Sequence, residues 1–268
     1  MPPIYVRVLV CIFAGLGAGL GTGFAGMSAA AVIVPMLTVF LGIDHFTAVG
    51  IALASDVLAS AISTVTYAKH KNIDIKHSWV LFVSVIVATV GGSIAAHFVT
   101  RTNAGNSVMT WFSLYAMLFL GLRFVMFPPK SGNEKMLSLS RTNRVVRSIL
   151  CGLAIGFVCG FVGAGGGIMM LLLITSVLGY DVKTGVGTSV FIMTFTALTG
   201  AVGHFAINTS GLVDHWGVLI GCVLSTLGFA QIASVIANRV KNKILNLVVG
   251  ILLTALSIAL ILVNLLLY

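Results

Sequence analysis

The chain has 268 residues, 59% of them apolar and only 8% charged, and its mean hydropathy is +1.13. That balance excludes an ordinary soluble domain and fits a chain that crosses a membrane several times. The net charge is +9, but the basic residues lie in short segments between apolar runs, where they act as topology signals and not as a nucleic-acid surface.

In chain order the apolar runs cover residues 4–22, 28–41, 46–68, 78–99 and 107–127. A polar linker at 128–143 follows, with Pro128, Pro129, Gly132 and Asn133, and then runs at 144–160, 165–178, 185–207, 214–236 and 244–267. Within a bilayer every backbone N–H and C=O must be paired inside the chain, and runs of this length without period-two alternation do so only as helices. The predicted fold is therefore an all-α polytopic membrane protein. The runs 28–41 and 165–178 have 14 residues each. At about 1.5 Å per residue each reaches about 21 Å against a hydrocarbon core of about 30 Å, which suits a re-entrant half-helix. Arg7 ahead of an apolar run resembles a signal peptide, but the same segment recurs at 144–160, which argues against cleavage.

An offset of 137 residues lays the second half on the first without a gap. Arg7 falls on Arg144, Gly15 on Gly152, Gly19 on Gly156, Gly42 on Gly179, Asp44 on Asp181, Gly50 on Gly187, Trp79 on Trp216 and Gly91 on Gly228. The chain divides into a first membrane repeat at 1–127, a cytoplasmic linker at 128–143 and a second repeat at 144–268. Each repeat holds five segments and crosses five times, or three times if the short one forms a re-entrant hairpin with the segment before it, so the two copies have inverted topology. With the linker in the cytoplasm, 13 of the 15 Lys and Arg residues lie on that side and only Arg7 and Arg101 on the other. The positive-inside rule then puts both termini on the non-cytoplasmic face.

Glycine-rich breaks precede the two short segments: Gly23-Phe24-Ala25-Gly26-Met27-Ser28 and Gly160-Phe161-Val162-Gly163-Ala164-Gly165-Gly166-Gly167. Such a turn exposes backbone N–H groups, and the helix start behind it adds the equivalent of about half a positive charge. The result is an anion site that needs no basic side chain. Gly26, Ser28, Gly163, Gly165, Gly166 and Gly167 are its candidate ligands. The four-residue spacing of Gly15, Gly19 and Gly23, and of Gly152, Gly156 and Gly160, reads instead as close helix packing. The match of Gly21 to Gly26 to a dinucleotide fingerprint carries nothing, because no strand precedes it.

The third segments hold most of the intramembrane polar groups: Ser55, Asp56, Ser60, Ser63, Thr64, Thr66 and Tyr67 in one, Thr188, Ser189, Thr194, Thr196, Thr199 and His204 in the other. Hydroxyls in membrane helices also bond back to their own backbone, and the candidate ligands among them are Ser55, Thr64, Thr188 and Ser189. Asp56 is the sole carboxylate in the middle of an apolar segment. Burying one costs at least about 2.5 to 3.5 kcal/mol, which marks it as a carrier of a coupling proton or as a carboxyl bonded to neighbouring hydroxyls. Tyr67 and His204 are partners at the same offset and are candidate gates or relays, each with an interfacial alternative; His97 is weaker. Asp44 and Asp181 read as helix N-caps, and Trp79 and Trp216 as interfacial anchors. The four cysteines lie in apolar runs at irregular spacing and suggest neither disulfides nor a metal site, and no cofactor motif is present.

With the second glycine cluster, Gly179, Thr184-Gly185-Val186-Gly187-Thr188-Ser189, Gly200-Ala201-Val202-Gly203-His204 and Asp214-His215-Trp216, the chain resembles the TauE/SafE family of sulfite and organosulfonate exporters over nearly its full length. The first half departs from the pattern, with Met27 to Ala31 where the family has a glycine cluster and Ile51-Ala52 where it has a Thr-Ser pair. The resemblance implies a multi-pass transporter of the bacterial inner membrane that moves a small sulfur-containing anion such as sulfite or sulfoacetate. The partners expected are that anion and the lipid bilayer, with a homodimer allowed and no nucleic acid. An anion channel would use the same residues, and an accessory membrane protein would not need Asp56 or the buried hydroxyls. An enzyme is not expected, since no Gly-x-Ser-x-Gly, His-Glu-x-x-His or paired carboxylates occur.

Overall fold

A computed structural model describes residues 3–126, 141–162, 182–239 and 242–267, with Met170, Ile174 and Leu178 between them. The described chain is helical: α1 (Ile4–Ala25), α2 (Ala30–Leu41), α3 (His45–Lys69), α4 (Ile75–Thr100), α5 (Asn103–Met126), α6 (Arg141–Val162), α7 (Val182–Ile207), α8 (Thr209–Asp214), α9 (Trp216–Ala237) and α10 (Asn242–Leu267). Among the described residues six helices, α1, α3, α4, α5, α7 and α9, are long and apolar enough to cross a membrane. The run read as 214–236 forms α9, with short α8 filling the gap before it, and the last three residues of the sequence-assigned linker belong to α6. The rest of that linker, the cluster Gly163 to Gly167 and Asp181 lie outside the described residues.

Local signals set the helix ends. α1 ends at Gly26, whose φ of 63° and ψ of 31° form a left-handed cap, with the Met27 N–H returning to the Gly21 carbonyl. α3 starts at Asp44, whose carboxylate accepts the Thr47 N–H at 2.9 Å as expected of an N-cap. α2 has 12 residues, about 18 Å of rise, and cannot span a core of about 30 Å. Ser28, just ahead of α2, bonds Asp56 near the middle of α3, so α2 begins inside the bundle.

The two halves of the chain interlock. α1 packs along α9 and α6 along α4, through stripes of small residues. Gly15 meets Ser225, Gly19 meets Phe229 and Ala230, and Gly23 meets Ala233; residue numbers rise together, so these helices are parallel. Gly152 meets Ser84, Gly156 meets Val85 and Ala88, and Gly160 meets Thr89 and Ser93, again in parallel. Side chains larger than these would hold the backbones apart. The two seams differ by one helical turn, because the partner of Gly15 sits at 225 while that of Gly152 sits at 84, where the gapless offset would give 88. α3 and α7 run antiparallel, with Phe46 against His204, Leu53 against Gly200, Thr64 against Thr194 and Tyr67 against Gly187.

One end of this bundle gathers most of the described basic residues. Asn72 bonds Asn238 at 3.3 Å, Lys183 reaches the Asn238 carbonyl at 3.5 Å, and Lys69, Lys71, Lys76 and Arg239 lie beside them in the chain. The outward faces carry large exposed apolar side chains, among them Val87, Phe98, Phe119, Leu224 and Leu266, as a lipid-facing surface requires. Trp79 and Trp216 are 57% and 66% exposed, in keeping with an anchoring role at the interface.

Candidate functional site

The end of α1, the start of α2, the middle of α3 and the start of α7 meet in the interior. Gly26 is the closest point between the first break and α7: a Cβ there would run into Ser189 Oγ, and its positive φ already disfavours any side chain. Ser28 Oγ donates to Asp56 Oδ2 at 2.6 Å, and the Ala29 N–H at the head of α2 faces the same carboxyl. The intramembrane carboxyl of α3 therefore sits at the N-terminal end of α2, where the helix dipole favours negative charge. Thr22 donates to the Met27 carbonyl at 2.8 Å and fixes the turn. Ser28, Asp56, Ser63 and Ser189 are all 0 to 1% exposed, so the cluster is closed off from both faces.

Two atoms in this core keep hydrogen-bonding capacity in hand. Asp56 Oδ1 and Ser63 Oγ are buried with no hydrogen-bonding partner among the described residues. Leaving such groups unpaired costs about 1 to 3 kcal/mol each. Cys159 of α6 lies within electrostatic reach of Asp56, which brings the approach to the second break to the same core.

Sequence-predicted residues divide between those that join this cluster and those that do not. Gly26, Ser28, Asp56 and Ser189 come together, although Ser189 Oγ donates to the Val186 carbonyl at 2.8 Å in this closed arrangement. Thr64 meets Thr194 at 3.4 Å across the α3–α7 seam. Ser55 turns its hydroxyl back onto the Ile51 carbonyl at 3.0 Å. Thr188 accepts the Asp74 N–H at 3.0 Å, at the basic end of the bundle, and there it ties the α3–α4 turn to α7. Gly163, Gly165, Gly166 and Gly167 lie outside the described residues.

The proposed gates close on the chain itself. Tyr67, 2% exposed, donates to the Gly23 carbonyl at 3.1 Å. His204 pairs its Nδ1 with the Phe46 carbonyl at 3.1 Å, stacks on the Phe46 ring at 4.1 Å and has the Gly160 backbone close by. Gly160 is the counterpart of Gly23 at the 137-residue offset, so each of these side chains pins the end of a glycine-striped helix. Sequence reasoning missed the Ser28–Asp56 pair as a pair, since only the fold brings positions 28 residues apart together.

A profile of the family described as Sulfite exporter TauE/SafE matches residues 11–260. The chain belongs to the TauE/SafE family. It is 26% identical to "Probable membrane transporter protein YunE" of Bacillus subtilis (strain 168), over 73% of this chain and 77% of that protein. It is 27% identical to "Probable membrane transporter protein MJ0441" of Methanocaldococcus jannaschii, over 74% of this chain and 70% of that one. A second Bacillus subtilis relative, "Probable membrane transporter protein YdhB", is 23% identical over 82% of this chain and 86% of its own length. The TauE/SafE match spans both breaks and both third segments, so the buried cluster lies inside the part that defines the family. The chain is a multi-pass membrane protein of a transporter family.

Proposed function

We propose that this TauE/SafE chain is a secondary transporter that exports small sulfur-containing oxyanions, sulfite or organosulfonates, across the bacterial inner membrane by alternating access. The observation that carries the reading is the convergence of Ser28, Asp56 and the Gly26–Ser189 contact at a break buried inside the bundle. Repeat transporters hold their substrate on the starts of discontinuous helices within the bundle. The antiparallel α3–α7 pair supports two inverted repeats about an axis between them, and the basic end supports a cytoplasmic placement of the α3–α4 turn, with both termini on the far side.

Asp56 gives the mechanism its coupling. Its carboxyl already occupies the end of α2 that would attract an anion, and two negative charges at one helix start repel in a low-dielectric core. A proton on Asp56 removes that repulsion, so substrate and proton arrive together and Ser28 is released to the substrate. The membrane potential supplies about 2.3 kcal/mol per charge per 100 mV, or about 4.6 kcal/mol for exit of a dianion from a negative interior. With one accompanying proton the net charge still favours exit.

Reconstituted proteoliposomes test this reading. Sulfite and methanesulfonate flux in the wild type should respond to an imposed pH gradient, and in Asp56→Asn it should not. Equal rates throughout would remove the coupling role, and no flux of either anion would sink the transport reading. Turnover far above about 10³ per second would make the protein a channel, since carrier conformational steps take microseconds to milliseconds or longer.

A further inference from the structure

The end of the bundle opposite the basic cluster holds a cavity of about 280 Å3 that none of the site residues above lines. Its polar wall comes from three helices: Thr38 near the end of α2, Asn103, Ser107, Thr110 and Trp111 at the start of α5, and Asn264 near the end of α10. Asn103 and Ser107 are exposed at the mouth, and Thr38, Thr110 and Asn264 are buried behind them. No ionisable side chain is among the described residues that line it.

Asn264 decides how the cavity is read. It is 5% exposed, near the end of a mainly apolar helix, and its side chain lines the cavity. A buried amide that faces a polar cavity has room there for a polar ligand or water. The repeat makes the same point. At the 137-residue offset, Asn103, Ser107, Thr110 and Trp111 are answered by Val240, Ile244, Leu247 and Val248, and Asn264 by Phe127. The corresponding places in the other half carry apolar residues, so the architecture does not itself demand polar ones here.

We propose that this cavity binds a small sulfur oxyanion of the sulfite or sulfonate class through uncharged donors, as an outer port to the buried break. The proposal rests on the anion-transport reading and adds a second site to it. Amide, hydroxyl and indole N–H groups replace water around an anion without a fixed countercharge, so the ion is held and also released, as a conduction path requires. The start of α5, where Thr102 caps the Gly105 N–H, adds the positive end of its dipole. The end of α2 forms the opposite wall, beside the Gly42 turn, and makes a cation the competing occupant.

The chain has three tryptophans, and Trp79→Phe with Trp216→Phe leaves Trp111 as the sole indole reporter. This protein in nanodiscs is titrated with sulfate and methanesulfonate as choline salts, with choline chloride and sodium chloride as controls, while Trp111 emission is followed. A saturable change with the sulfur oxyanions is expected, weakened tenfold or more in Asn264→Leu and severalfold in Ser107→Ala, which sits at the exposed mouth and leaves the core intact. A response that follows sodium, no saturable response, or one unchanged in both variants overturns the site. Flux is read on the same protein in proteoliposomes: flux that persists without a Trp111 response removes this site alone. Loss of all anion flux beside an intact, Asn264-dependent response removes the transport reading and upholds the site.

Discussion

The two glycine breaks share a sequence pattern and differ in the side chains that accompany it. At the first, Ser28 and Asp56 supply a hydroxyl and a carboxyl to the head of α2. At the second, the matching positions hold Gly165 and Met193, so neither is present, and Met193 is 1% exposed in the core. A helix start inside a membrane needs something to satisfy its free N–H groups. The first half answers with its own side chains, and the second has neither group at the matching positions.

The comparison breaks most readily at Gly26. Gly26→Ala combines a left-handed backbone with a collision against Ser189 and should cost about 3 kcal/mol or more, part of it recovered in the Gly26→Ala/Ser189→Ala double variant. Gly42 has the same left-handed φ, 65°, but open space around it, so Gly42→Ala should cost only about 1 kcal/mol. Unfolding curves of the detergent-solubilised variants check the ranking; equal losses would mean that the contact with Ser189 contributes nothing.

A smaller effect sharpens the contrast between the half-sites. Met193→Asp puts a carboxylate where no Ser28 equivalent exists and should destabilise by about 2.5 to 3.5 kcal/mol. Asp56→Asn keeps an acceptor for Ser28 and should shift stability by no more than about 1 kcal/mol while removing the pH-gradient response of flux. If both substitutions cost the same, the two breaks are equivalent in polarity and the asymmetry has no energetic content. The smallest change is Tyr67→Phe, which removes the bond to the Gly23 carbonyl and should cost about 1 kcal/mol, read from the same unfolding curves.

Much of this was legible in the sequence. The apolar runs fall on the helices, Asp44 is the N-cap its spacing to Thr47 predicts, and the glycine stripes lie in helix seams. The register of those stripes was not legible. A small residue every fourth position packs equally well one turn away, and only the whole bundle selects Ser84 over Ala88 as the partner of Gly152. Among the site residues, Asp56 stood out because charge in an apolar run is costly, whereas Ser28 stood out only by its place at the break, and its pairing with Asp56 came with the fold of α3 beside it. Thr188 misled for the opposite reason: its position near a break suggested a ligand, but the Asp74 N–H needed an acceptor and took its oxygen. Asn264 carries no signal of its own in the sequence, and only the convergence of α2, α5 and α10 turns it into a cavity wall.

The parallel seams also bear on how the chain is made. α1 rests on α9, whose contacting residues are synthesised about 210 positions after Gly15. At a translation speed of about 5 to 20 residues per second, the first helix waits roughly 10 to 40 seconds in the bilayer before its partner exists. Its glycine face stays open to lipid or to an insertion chaperone throughout. Neither half, expressed separately, has the surface that buries its own first helix, and a split gene should yield a stable product only when both fragments are made in the same cell.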